Sequence, residues 1–250
     1  MTNTTRSIAM GMAVTGALLS GAAVANAQNK SPWDSSAALG FTLTRGNSST
    51  LLFTGNVLTS RKQGANEMSL GADATYGSNA GSTTAHAFRG FGQYNRLIND
   101  RTYGFVRAEG LYDKVALIEP RVTISGGVGY YFIKNDRTRL SGEVGPGLIY
   151  ERHAANGAAA ATDTTFMTLR VAERLDHKIS DKTKIWQSAE YLPKVDDFNR
   201  YVLNFEVGLD TELYKNLSLR TYVQDTFNST PVTGKKKNDM KFVTAVAYKF

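Results

Sequence analysis

Ten charged residues of both signs, spread from residue 73 to residue 220, are the groups whose chemistry has to be explained: Asp73, Arg89, Arg107, Glu109, Glu143, Arg170, Arg174, Glu206, Asp210 and Arg220. Arg107 and Glu109 stand two apart, and Arg170 and Arg174, like Glu206 and Asp210, four apart, which puts each pair on one side of an extended chain. Mixed charges sharing an enclosed face can line a polar passage, or pair off and fill it, because a charge taken out of water needs a partner. Neither use is catalysis, and the residue types that catalysis prefers are scarce. There is no cysteine and there are three histidines, which excludes thiol nucleophiles and disulfide scaffolds and leaves little for a transition-metal site.

A lipid hydrolase built on a membrane barrel would need a serine and a histidine within hydrogen-bond reach on the outer face. His86 alternates with Phe88 and so points outward, but no serine motif flanks it. His153 falls in a long connection and His177 at a turn. No residue receives a catalytic role, and neither a cofactor nor a metal is expected. Gly126-Gly127-Val128-Gly129 lacks the following helix that a phosphate-binding fingerprint requires, so these glycines read as points of bending or close packing in a strand. Lys235-Lys236-Lys237 could meet lipopolysaccharide phosphates or simply face water. Ala154–Ala161 is a low-complexity loop.

The elements that must position the charged residues are strands. The chain has 250 residues, 12 Tyr, 12 Phe, 2 Trp and 23 Gly beside only 5 Pro, the profile of a strand-rich protein. Met1–Ala27 reads as a cleaved export signal: Arg6, a small-residue apolar stretch from Ile8 to Val24, and Ala25-Asn26-Ala27 before Gln28. Beyond it no apolar run approaches the roughly 18 residues of a membrane helix. Residues 28–250 instead alternate with period two. In Tyr201–Leu213, the odd positions Leu203, Phe205, Val207 and Leu209 are apolar, while Asn204, Glu206, Gly208 and Asp210 stand between them. The last segment repeats this with Phe242, Val246, Tyr248 and Phe250 on one side. Segments 84–97, 101–113 and 184–192 alternate less cleanly.

Twelve strands follow: 35–45, 50–61, 67–77, 84–97, 101–113, 120–133, 138–152, 164–176, 184–192, 200–213, 217–227 and 239–250. Their connections alternate between tight turns such as Lys134–Arg137 and Tyr214–Asn216, and longer loops at Ser78–Thr83, Lys114–Glu119, His153–Asp163, Pro193–Asn199 and Asn228–Asn238. That rhythm fits a closed antiparallel up-and-down transmembrane β-barrel, all-β, with both termini on the short-turn, periplasmic side. A soluble β-sandwich alternates too, with its apolar face inward. The barrel is favoured because its strands exceed the usual globular length of five or six residues. Aromatics also gather near strand ends, as interface girdles do, at Tyr76, Tyr94, Tyr103, Tyr112, Tyr130, Tyr150, Tyr191 and Tyr201.

The opening Trp33…Leu39-Gly40…Thr42…Thr44-Arg45-Gly46-Asn47-Ser48 resembles that of the salt-induced outer membrane protein family, the YdiY-like proteins. The resemblance extends over the whole exported chain in length and strand rhythm. It implies a bacterial outer-membrane barrel with a Gly-Asn-Ser first hairpin, and a C-terminal strand whose Tyr248 and Phe250 are the assembly signal read by the barrel-assembly machinery. The expected surroundings are outer-membrane lipid and lipopolysaccharide; the exported location argues against nucleic acid. Because the family's molecular function is unsettled, the resemblance speaks to location more than activity. Two functions remain open: a narrow passive channel for ions or small polar solutes, and a non-conducting structural or envelope-stress barrel, with a lipid hydrolase as the remote third. Twelve strands enclose more than side chains readily fill, which tilts the reading toward the channel.

Overall fold

A computed structural model describes residues 32–44, 50–155 and 160–250. The expected leader, the expected first turn at 45–49 and the centre of the alanine-rich segment lie outside these. Twelve strands run through the described chain: β1 (Trp33–Thr44), β2 (Thr50–Gln63), β3 (Asn66–Asn79), β4 (Ser82–Leu97), β5 (Thr102–Asp113), β6 (Ile118–Lys134), β7 (Thr138–His153), β8 (Thr162–Lys178), β9 (Thr183–Lys194), β10 (Asp197–Tyr214), β11 (Leu217–Asn228) and β12 (Asn238–Lys249). Each pairs antiparallel with its sequence neighbours, and β1 pairs with β12 to close the barrel. The sandwich reading is thereby excluded. Closure spans Ser36–Leu39 against Val246–Lys249, the shortest seam in the ring.

Period-two patterning sets which side chains face out. On β10, Leu203, Phe205 and Leu209 are exposed on the outside, while Glu206 and Asp210 line the interior. A row of apolar side chains crosses the outside of β6, β7 and β8 at Ile124, Leu148 and Met167. Among the polar exceptions on this surface, Gln187 donates to Glu173. Aromatic side chains meet across strands near one rim, with His86 edge-on to both Tyr76 and Tyr112 at 5.9 and 6.0 Å, and Tyr201 beside Tyr191 and Phe227 at 5.3 and 5.6 Å. At the other rim Tyr130 meets Phe132, and Tyr248 stacks on Phe250. Tyr103 departs from the expected girdle: it points inward and is 1% exposed.

The connections also correct the expected rhythm. At the end where β1 starts and β12 finishes they are short, at 64–65, 98–101, 135–137, 179–182 and 215–216. At the opposite end, 154–161 and 229–237 are long, but Ser78–Thr83 and Pro193–Asn199 shrink to two-residue turns at 80–81 and 195–196. Ala80 and Gly81 both adopt positive φ, 48° and 84°, the tight turn whose twist matches a hairpin, so pairing continues to Asn79 and Ser82. Between β6 and β7 the glycine run permits close approach. A Cβ on Gly127 would strike the Val144 carbonyl, and one on Gly145 would strike that of Gly126.

Candidate functional site

The interior holds a cavity of about 780 Å³. It runs from the β6–β7 turn residues Asn135, Asp136 and Arg137 at the short-turn end to Thr75, Thr226 and Lys241 near the opposite strand ends. All ten charged residues singled out from the sequence line it.

Most of their pairings run along the wall. Arg89 bonds Asp73, its register partner on the next strand, at 2.9 Å. Arg220 likewise bonds its partner Asp210 at 2.9 Å. Arg107 reaches Glu109 on its own strand at 2.6 Å, its guanidinium 4.3 Å from the Phe91 ring. Arg174 reaches Asp176 on its own strand at 2.9 Å. Arg121 pairs with Glu151, and His153 lies 2.7 Å from the same carboxylate. Pairing of this kind satisfies the requirement that enclosed charges be neutralised without sending side chains across the lumen.

A few contacts do reach further. Glu143 accepts from Arg170 (2.6 Å), from Tyr103 (2.9 Å) and from Gln93 on β4 (2.7 Å). Arg170 also donates to Glu190 at 2.6 Å, and Asn204 donates to the other oxygen of Glu190. Among the described residues no cation lies within ion-pair distance of Glu206; Trp186 donates to it at 2.7 Å and Gln224 at 3.4 Å. At the short-turn end, Glu67 accepts from Tyr131 and from Arg139. A register shift between Tyr131 and Ile133 turns Lys134 onto the Arg139 side, and both cations sit 4.6 Å from the Tyr131 ring.

Several of these residues escaped the sequence reading: Glu67, Glu190, Tyr131 and the inward aromatics Tyr103, Phe105 and Trp186. Parity with Arg107 and Glu109 was the available signal for Tyr103 and Phe105. Trp186 fits because its ring lies flat on Gly208, where any Cβ would collide with it. Of the histidines, His86 is outward and exposed, His153 is beside Glu151, and His177 lines the short-turn end of the cavity in contact with Thr138.

The family described as "Protein of unknown function, DUF481" matches residues 37–250. No curated protein matches this sequence. Among solved structures, the NanC porin is similar, with a TM-score of 0.51 and 7% identity over 87% of this chain and 100% of that one. The translocator domain of the autotransporter NalP from Neisseria meningitidis has a TM-score of 0.46 and 13% identity, over 90% of each chain. KdgM porin in complex with disordered oligogalacturonate has a TM-score of 0.45 and 12% identity, over 86% and 99%. At these identities the NanC likeness is one of fold: a porin-type barrel.

Proposed function

The chain belongs to the DUF481 family, whose description assigns no activity, and on the geometry we propose that it is an integral outer-membrane barrel that passes ions or small polar solutes passively through its lumen. The observation that carries this reading is the direction of the charge pairing. Asp73–Arg89, Arg107–Glu109, Arg174–Asp176 and Asp210–Arg220 close along the wall, and about 780 Å³ stays free between them. A lumen of this volume, whose charged and polar groups alternate with aromatic rings such as Phe91, Tyr103 and Trp186, suits hydrated ions and solutes of sugar size.

An outer-membrane setting is supported by the apolar outside, the aromatics at both rims and strands of 12–18 residues, longer than the ~9–11 needed to span. The leader, cleaved before Gln28, supplies export. Tyr248 and Phe250, stacked at the end of the chain, are the feature offered to the assembly machinery. The Lys235–Lys237 loop would then face lipopolysaccharide.

One observation favours the non-conducting alternative. The chain of contacts Gln93–Glu143–Arg170–Glu190–Asn204 links strands from β4 to β10 and could act as a partition. Liposome swelling separates the two readings. Vesicles carrying the refolded barrel swell in isotonic arabinose and fail to swell in a tetrasaccharide. Absence of swelling in arabinose, with the barrel verified as folded in the vesicles, would reject the channel.

A further inference from the structure

The ratio of cations to acids inverts along the lumen. At the short-turn end, three carboxylates each serve two cations. Glu67 takes Arg139 at 2.7 Å and Lys62 at 3.9 Å. Asp176 takes Arg174 and Lys184, both at 2.9 Å. Asp210 takes Arg220 at 2.9 Å and Lys249 at 3.6 Å. Further in, the relation reverses: the single guanidinium of Arg170 serves both Glu143 and Glu190, and Glu206 has no cation partner among the described residues.

Within each pair at the mouth the two cations are unequal. The arginine is the more enclosed and, except at Asp176, the closer; the lysine is the surplus charge. Lys62, Lys184 and Lys249 have side chains 59%, 49% and 48% exposed, and all three line the cavity. Two more cations, Arg137 and Lys178, line the same end, offset in charge by the acids Asp34 and Asp136; the surplus is therefore that of the three lysines. The Arg137 guanidinium is pinned by the carbonyls of Lys178 and Ile179 at 3.1 and 3.2 Å. A lysine is a mobile point charge on a long stem. A ring of such groups around a low-dielectric opening concentrates anions there.

We propose that this mouth is a binding site for small multivalent oxyanions, phosphates or carboxylates, gripped by Lys62, Lys184 and Lys249. The arginines also neutralise the carboxylates, so Lys62, Lys184 and Lys249 can leave their present contacts at 3.9, 2.9 and 3.6 Å and turn toward a guest without stranding an acid. Because they open into the lumen and not onto the outer surface, the guest is a free solute and not a lipid headgroup. The inference rests on the lumen being the route of passage and gives that route a chemical preference at one end. An anion held at the mouth then meets the acid-rich stretch of Glu143, Glu190 and Glu206, so the mouth retains anions more readily than the inner lumen admits them.

Calorimetric titration of the refolded barrel with tripolyphosphate, and separately with citrate, tests the site without requiring conduction. Wild-type protein binds both, with affinity falling as salt screens the ring. The triple variant Lys62→Gln, Lys184→Gln, Lys249→Gln binds roughly tenfold more weakly or worse. The variant Lys235→Gln, Lys236→Gln, Lys237→Gln at the far end binds like wild type, and added lipopolysaccharide does not compete. Equal affinity in the first triple variant, loss in the second, or displacement by lipopolysaccharide would each overturn the proposal. A barrel that binds tripolyphosphate yet conducts nothing would sink the channel alone; one that conducts without binding would sink this site alone.

Discussion

Arg170→Ala weakens the barrel by about 3–5 kcal/mol, the cost of removing one partner from an enclosed ion pair. The residue is chosen because its side chain is only 6% exposed and neutralises two acids, Glu143 and Glu190, at 2.6 Å each. Its removal leaves two facing carboxylates with no cation between them, while Tyr103 and Gln93 still hold Glu143 in place. Arg170→Lys keeps the charge but cannot fork to both acids and falls between the two. Urea unfolding of the lipid-reconstituted barrel measures the loss. A change below about 1 kcal/mol would mean that lumen water already solvates these groups as a surface does.

Ile124→Arg costs about 2–4 kcal/mol, the penalty for a cation on the bilayer-facing side of a barrel near mid-depth. Ile124 lies near the centre of β6, is 53% exposed, and has Ala108 and Leu148 as its register neighbours. It therefore has no acid at hand. Thr123→Arg, one residue away on the inner face, is the matching control: it enters a polar lumen beside Glu109, its register partner, and costs much less. Equal costs at the two positions in lipid vesicles would refute the assignment of inside and outside.

That assignment was legible where one face is uniformly apolar. On β10 and β12 the alternation alone separates Leu203 and Phe242 from Asn204 and Lys241. It blurs on β5 and β9 because the lumen itself accepts large aromatics, so Tyr103, Phe105 and Trp186 make both faces look greasy. It holds for Tyr130 and Phe132 on the outside of β6 but fails just beyond, where a register shift between Tyr131 and Ile133 leaves Ile133 outward and turns Lys134 onto the Arg139 side. The tight turn at Ala80-Gly81 was hidden for a related reason: Ser, Asn, Gly and Thr read equally well as a loop or as the ends of a long hairpin.

The site divides along the same lines. The charged residue types and their inward face were readable, and all ten line the cavity. Their partners were not, since Glu67 and Arg139 are 72 residues apart and meet only once barrel width and stagger are fixed. Whether opposite charges close along the wall or across it is the question on which conduction turns, and sequence spacing carries only part of the answer. Arg107–Glu109 and Arg174–Asp176 are two apart on one strand, whereas Asp73–Arg89 depends on the hairpin register.

Single-channel recording from refolded protein in a planar bilayer tests the central claim most directly. Wall-parallel pairing around an open lumen predicts reproducible, discrete conductance steps for wild-type protein, with an ion selectivity that changes in Arg170→Ala. Silence across a wide voltage range, with the folded barrel demonstrated in the same membrane, would contradict it.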